Sequence, residues 1–256
     1  MIIFFFLFGL AIGSFLNCVI YRLEKKESII KIRSHCPHCK KTLSWFELIP
    51  VMSFILQKGR CRKCHKKISW QYSLVELAAG ILFALCAWYF YPNILFSIFY
   101  FLFSSFLIVV FVYDLKHYII PNEVIYPAIL VAGIWYLVFG ILIRDTRYEI
   151  QAPILAAIIA GLFFLVIILM SRGKWMGIGD FKLAIFMGLI LGWPNILVAL
   201  FLAFLIGAFV SIILVIFKKK NLKSQIPFGP FLAGAAIIAM LWGNILLSWY
   251  LNLFLI

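Results

Sequence analysis

The sequence predicts an all-α membrane protein of about eight transmembrane helices with a small zinc-ribbon-like cytoplasmic loop, and three observations carry that prediction. Of its 256 residues 66% are hydrophobic and the mean hydropathy is +1.11, more than a soluble domain of this size would carry. The apolar residues come in runs of about 20, the length a helix needs to cross the hydrocarbon layer. They do not form the alternating runs of half that length that barrel strands use. The charged residues, only 12% of the chain, gather between the runs, with lysine and arginine on every second connection.

The first span runs from about Ile2 to Tyr21. It lacks a basic leading region and a small-residue cleavage site, so it reads as a retained helix, and its Gly13, Ser14 and Asn17 suit helix packing. From Arg22 to Tyr72 the character changes to a loop with thirteen bases against Glu24, Glu27 and Glu47. Later spans are expected near 73–91, 94–113, 123–143, 152–171, 181–192 and 196–217, and an eighth follows Ile226-Pro227-Phe228-Gly229-Pro230. The domain reading is therefore a first helix (1–21), a basic loop (22–72) and a seven-helix membrane domain (73–256). Alternating crossings put twenty-one bases on one side and only Arg144 and Arg147 on the other. The base-rich side is the cytoplasmic one. That bias also accounts for the formal net charge of +14. Anionic membrane lipid is the preferred partner of the basic loop, and nucleic acid, which Trp45, Phe46, Trp70 and Tyr72 would stack, is disfavoured.

Within the loop, Cys36-Pro37-His38-Cys39 and Cys61-Arg62-Lys63-Cys64 form two Cys-x-x-Cys turns separated by 21 residues. Four thiolates at this spacing close a tetrahedral zinc site, with two disulfides or free thiols as the alternative on a side of the membrane where thiols stay reduced. Four protein ligands leave no open position, so the metal is structural. His35, His38 and His65 are near enough to replace a ligand but read as solvated. Cys18 and Cys86 read as packing residues.

Two aspartates stand out. Asp180 follows Gly177-Ile178-Gly179 at the start of an apolar run, and Asp114 ends the third span. Intramembrane acids usually mark function, and the alternating topology brings both to the cytoplasmic depth. Two such carboxylates share one proton and act as an acid and a base on a peptide bond. The alternative for each is an interfacial residue at a helix end. Gly177 and Gly179 would let an extended substrate approach the backbone. Lys116 and Lys182 would tune the pair or snorkel to headgroups. Pro227 and Gly229 break the helix and would border the cavity or make a surface turn. Glu76 and Glu123 read as structural acids favouring helix starts.

Tyr113-Asp114 and Gly177-Ile178-Gly179-Asp180 resemble the paired motifs of Gly-x-Gly-Asp intramembrane aspartic proteases. The ordered set narrows the resemblance to bacterial type IV prepilin peptidases. That set is Gly13 to Asn17, the cysteine tetrad, Ile68-Ser69 with Val75-Glu76, Asp114 with Ile120-Pro121-Asn122, Gly179 to Leu183, and Ile226 to Pro230. The resemblance implies an inner-membrane enzyme that removes the leader of prepilins and pseudopilins at the cytoplasmic face, with Asp114 and Asp180 as the catalytic pair. It also implies methylation of the new amino terminus from S-adenosylmethionine. Leu48 stands where asparagine often precedes Ile-Pro, and Ser73 where proline often follows tyrosine. The readings from other classes are a proton- or ion-coupled transporter using the same two aspartates, and a noncatalytic zinc-loop scaffold.

Overall fold

The computed structural model of the chain describes residues 1–28, 33–142, 151–217 and 226–254. The outer loop expected at 144–149, and the bases Lys31, Arg144, Arg147, Lys218, Lys219, Lys220 and Lys223, lie outside the described residues. In chain order the helices are α1 (Ile2–Lys25), α2 (Met52–Leu56), α3 (Trp70–Tyr89), α4 (Ile94–His117), α5 (Asn122–Leu142), α6 (Gln151–Ser171), α7 (Ile178–Leu191), α8 (Asn195–Ile216) and α9 (Gly229–Phe254). Among the described residues six of these, α1, α3, α4, α6, α8 and α9, are long and apolar enough to cross a membrane. In α5 a shorter apolar stretch, Asn122–Val138, stands out, and α7 has 14 residues.

Helix bounds differ from the apolar runs where polar residues keep the helix going. Ser69 accepts a hydrogen bond from the Gln71 N–H and starts α3 three residues before the expected span. At the other end of the same logic, α4 continues through Asp114 to His117, so that aspartate lies in the last turn rather than beyond it. Asp180 likewise lies inside the first turn of α7, and Gly229-Pro230 open α9. Proline suits that position, because its missing N–H would have had no helical partner.

The chain divides into two compact units, Met1–Val109 and Val110–Ile256. In the first, α1 packs along α3. Gly13 makes this possible, since a Cβ there would lie 2.7 Å from the Glu76 Cα. Above it, the buried Asn17 amide donates to the Tyr72 carbonyl at 2.8 Å. The Phe83 ring stacks on Phe101 at 4.5 Å, and Phe5 closes on the same ring at 5.2 Å. Glu76 is not at the first turn of α3. It is buried and accepts the Val51 N–H at 2.7 Å, tying the loop to the helix.

In the second unit the short α7 is the hub, touching α5, α6, α8 and α9. Burying it on all sides explains its uniformly apolar sequence from Leu183 to Ile190. Gly188 lies directly against the backbone at Ala156 and Ala157 of α6, too close for any larger residue.

Candidate functional site

Asp180 is the third residue of α7, and its Oδ2 accepts the Gly177 N–H at 3.2 Å. This satisfies one of the donors left over at a helix start and orients the carboxylate along the positive end of the helix. Asp114 is 4% exposed and accepts from the backbone N–H of Gly229, the first residue of α9. Each aspartate is therefore held by the head of a different helix. Asp114 is also the charged neighbour whose field reaches Asp180, and Ile120 lies beside the glycine next to each of them, so the two acids belong to one neighbourhood of the second unit.

The glycines around them are where no side chain fits. A Cβ at Gly229 would lie 2.5 Å from Asp114 Oδ2 and 3.3 Å from Ile120 Cδ1. At Gly179 it would lie 3.1 Å from the Ile120 Cβ. Ile120, 6% exposed, thus sits between the starts of α7 and α9. Pro121 follows it, and its carbonyl accepts the Val124 and Ile125 N–H groups that begin α5. Phe228 supplies the anchor on the other side, with its ring 4.9 Å from Phe204 and 6.3 Å from Phe164. The half-buried Pro227 next to it keeps the entry to α9 out of helical hydrogen bonding.

Gly177 is exposed at the mouth of this arrangement. Lys182 turns to α5, donating to Asn122 Oδ1 at 2.7 Å, with its ammonium 4.5 Å from the centre of the Tyr126 ring. Lys116 is exposed on the last turn of α4. Ile120, Asn122 and Phe228 have roles that residue type alone did not reveal, although all three sit in motifs read from the sequence. Each is ordinary as a residue and matters by position.

The four loop cysteines converge. Their sulfurs all lie within 4.8 Å of one another, with Cys36 to Cys64 at 3.9 Å and Cys39 to Cys61 at 4.0 Å. Zinc bound by thiolates at about 2.3 Å sets tetrahedral sulfurs roughly 3.8 Å apart, so the residues fit that ion. None of the six cysteines is joined in a disulfide in this structure. The two turns are built alike. Cys36 N–H donates to Lys41 O at 2.9 Å and Lys40 N–H to Cys36 O at 3.0 Å, and Cys61, His65 and Lys66 repeat the pattern at 3.0 and 2.9 Å. Main-chain N–H groups of Cys64 and Lys63 hold the Cys61 thiol down to about 6, while burial pushes Cys36 up to about 11. The histidines take no part in the cluster, and His35 engages the Arg33 carbonyl through its Nδ1 instead.

Glu47 braces the same loop. Burial opposes its ionisation, but the Ser44 N–H at 2.9 Å, the Ser44 hydroxyl at 2.8 Å and the Lys41 ammonium at 3.1 Å outweigh it and hold the carboxyl below its ordinary 4.5. A lowered folded value means that the stabilisation is complete above about 4.5 and fades as the pH falls through the folded value. The expected result is that wild type resists loop proteolysis better than Glu47→Gln at neutral pH and loses this advantage in acid. Acid protonates the cysteine thiolates in both proteins alike, so the difference between them isolates Glu47.

Residues 7–90 match the bacterial peptidase A24 N-terminal domain, and residues 101–212 match the type IV leader peptidase family. Among curated relatives is the prepilin leader peptidase/N-methyltransferase of Bacillus subtilis (strain 168), 36% identical over 97% of both chains. The protein of that name from Aeromonas hydrophila is 33% identical over 98% of this chain and 93% of its own. That from Legionella pneumophila is 29% identical over 96% and 93%. No solved structure matches the chain.

Proposed function

We propose, from the premise that this chain belongs to the type IV leader peptidase family, that Asp114 and Asp180 are the catalytic pair with which it removes prepilin leaders. The chain is a multi-pass membrane protein and a prepilin peptidase. The observation that carries the assignment of the pair is that each acid is held by the head of a different helix, with a glycine beside it and Ile120 against both glycines. The carrier alternative has no support among the family and relatives named above.

In this reading one ionised carboxylate takes a proton from water as the oxygen attacks the scissile carbonyl. The protonated partner donates to the carbonyl oxygen, and a proton then passes to the amine as the carbon–nitrogen bond breaks. The main-chain N–H groups of Gly177 and Gly229 keep the carboxylates in place throughout. A helical peptide bond is shielded, so the substrate enters locally extended, and the open backbone at Gly177 and Gly179 gives it room. The charge bias of the connections supports a cytoplasmic side for the reaction and the zinc loop at the inner membrane. Cys36, Cys39, Cys61 and Cys64 would hold zinc, whose chemistry there is structural.

The relatives' names carry a methyltransferase activity as well, and methylation of the new amino terminus belongs to the proposal on that ground. The loop from Arg22 to Tyr72 contains one glycine, Gly59. It therefore does not fit the glycine-rich turn that usually cradles a nucleotide, and no residue is assigned to S-adenosylmethionine.

The test is the mass of products formed by full-length protein in nanodiscs from a prepilin-like substrate, with and without S-adenosylmethionine. Cleavage at the leader junction is expected, and a gain of one methyl group would establish the second activity. An intact substrate alongside proton flux in vesicles would replace this reading with the carrier. A sharper probe of the geometry is Gly229→Ala, whose Cβ would push Asp114 aside. Cleavage should fall about 10²-fold, the scale of a misplaced catalytic group. Gly234→Ala in the same helix, with its nearest neighbour Phe111 at 3.9 Å, should cut normally.

A further inference from the structure

Within the first unit, the face of the loop beside α3 is turned outward in a way that the proposed peptidase site does not explain. On the short α2, Met52, Ile55 and Leu56 share one side at helical spacing and are 54, 61 and 67% exposed. An amphipathic helix of a soluble domain would point this stripe at a core. Here the core side is taken by Phe54, whose ring lies 4.8 Å from that of Trp70, the first residue of α3.

The level of Trp70 is readable from α3 itself. Trp70, Leu74, Ile81 and Trp88 are all exposed, and their spacing puts them within about 40° of one face of the helix. Trp70 and Trp88 are separated by about 27 Å at 1.5 Å per residue. That is close to the hydrocarbon thickness, and tryptophan at both ends of such a face is the mark of a lipid-facing span with its rings in the two interfaces. Phe54 on Trp70 fixes one side of α2 at that level, and the Val51 N–H on Glu76, about 9 Å further along α3, ties the residue before α2 deeper. Immediately beyond α2, Lys58 and Arg60 are exposed, and neither has a carboxylate partner among the described residues.

We propose that α2 is an interfacial anchor that lays the zinc loop on an anionic bilayer surface, with Met52, Ile55 and Leu56 among the upper acyl carbons and Lys58 and Arg60 on lipid phosphates. An exposed apolar stripe, bases next to it and a tryptophan that sets the depth are the features of helices that lie in the membrane plane. The inference concerns the loop alone and stands whether or not the aspartate pair cuts prepilins.

The experiment places a polarity-sensitive fluorescent amino acid at position 55 of the full-length protein, in nanodiscs of phosphatidylcholine with phosphatidylglycerol. Nitroxides at the headgroup, at acyl carbon 5 or at acyl carbon 12 act as quenchers. The same probe at position 38, exposed on the other cysteine turn, is the reference. Quenching at 55 should exceed that at 38 by about threefold for the two shallow nitroxides and fall off for the deep one. Lys58→Gln with Arg60→Gln should reduce it in the anionic discs and leave it unchanged in pure phosphatidylcholine. A probe at 56 repeats the measurement should the one at 55 disturb the loop. Quenching at 55 and 56 no stronger than at 38 overturns the proposal. So does protection of the face only after a prepilin is added, or only when energy transfer reports a second copy against it.

Discussion

Asp114→Asn and Asp180→Asn each abolish leader cleavage, with an expected loss of about 10³-fold or more. Asparagine keeps the size of the side chain and can still meet the Gly229 or Gly177 N–H through its amide oxygen, so the helix heads remain occupied. What it removes is the ability to take or give a proton. Because a shared-proton pair acts as a unit, the double variant should be no slower than the worse single one. Product mass read over long incubation measures this, with helix content and the trypsin resistance of the loop as checks on folding. A single variant that cuts within about tenfold of wild type would remove that residue from the chemistry. Full activity of both would leave the meeting of the two acids as helix capping only. The outcome also separates an enzyme from a scaffold, since a scaffold tolerates the loss of either acid.

The sequence announced this site unevenly, for physical reasons. Charge in an apolar chain is costly, so Asp114 and Asp180 were visible as exceptions, and the charge count of the connections placed them at one depth. The cysteine spacing likewise announced a cluster, which the sulfur distances now match. Glycine gave only half of its meaning. Gly179 signalled close approach and Gly229 a break in the helix, but what lies against them is Ile120 in one case and the Asp114 carboxylate in the other, and neither follows from a glycine. Phe228 was one phenylalanine among 27, and its seat between Phe164 and Phe204 belongs to tertiary packing. Lys182 was legible as a base near an acid, yet its ammonium goes to Asn122 and the face of Tyr126, a choice that depends on how α5 meets α7. Glu76 also looked like a helix-start acid. It proved to be a buried tie to Val51, because the polar Ser69 cap had started α3 three residues before the expected span.

Zinc removal should act on the loop without dissolving the helices. Apart from the four thiols, residues 33–69 hold together by short backbone turns, the small α2, the Glu47–Ser44–Lys41 cluster, the Val51 tie to Glu76 and a few ring contacts such as Phe54 on Trp70. That is little core for a segment of this length, and structural zinc in comparable small folds contributes on the order of 10 kcal/mol of folding free energy at neutral pH. A chelator strong enough to strip the ion, or Cys61→Ser, should therefore open the loop to trypsin, which finds exposed bases at Lys58, Arg60, Arg62, Lys63, Lys66 and Lys67. Helix content should hold, because the spans bury their own apolar faces and are long enough to be stable in lipid alone. Elemental analysis of the wild type should find one zinc per chain, and Cys61→Ser about none. Cys18→Ala removes a thiol outside the cluster and should keep the full metal content. A loop that stays protected after chelation but opens under thiol reductant would replace zinc by disulfides, for which the sulfurs of Cys36 and Cys64 would first have to close from 3.9 Å. The prediction is thus decided by two reagents acting on one protein, and it does not depend on what the aspartates do.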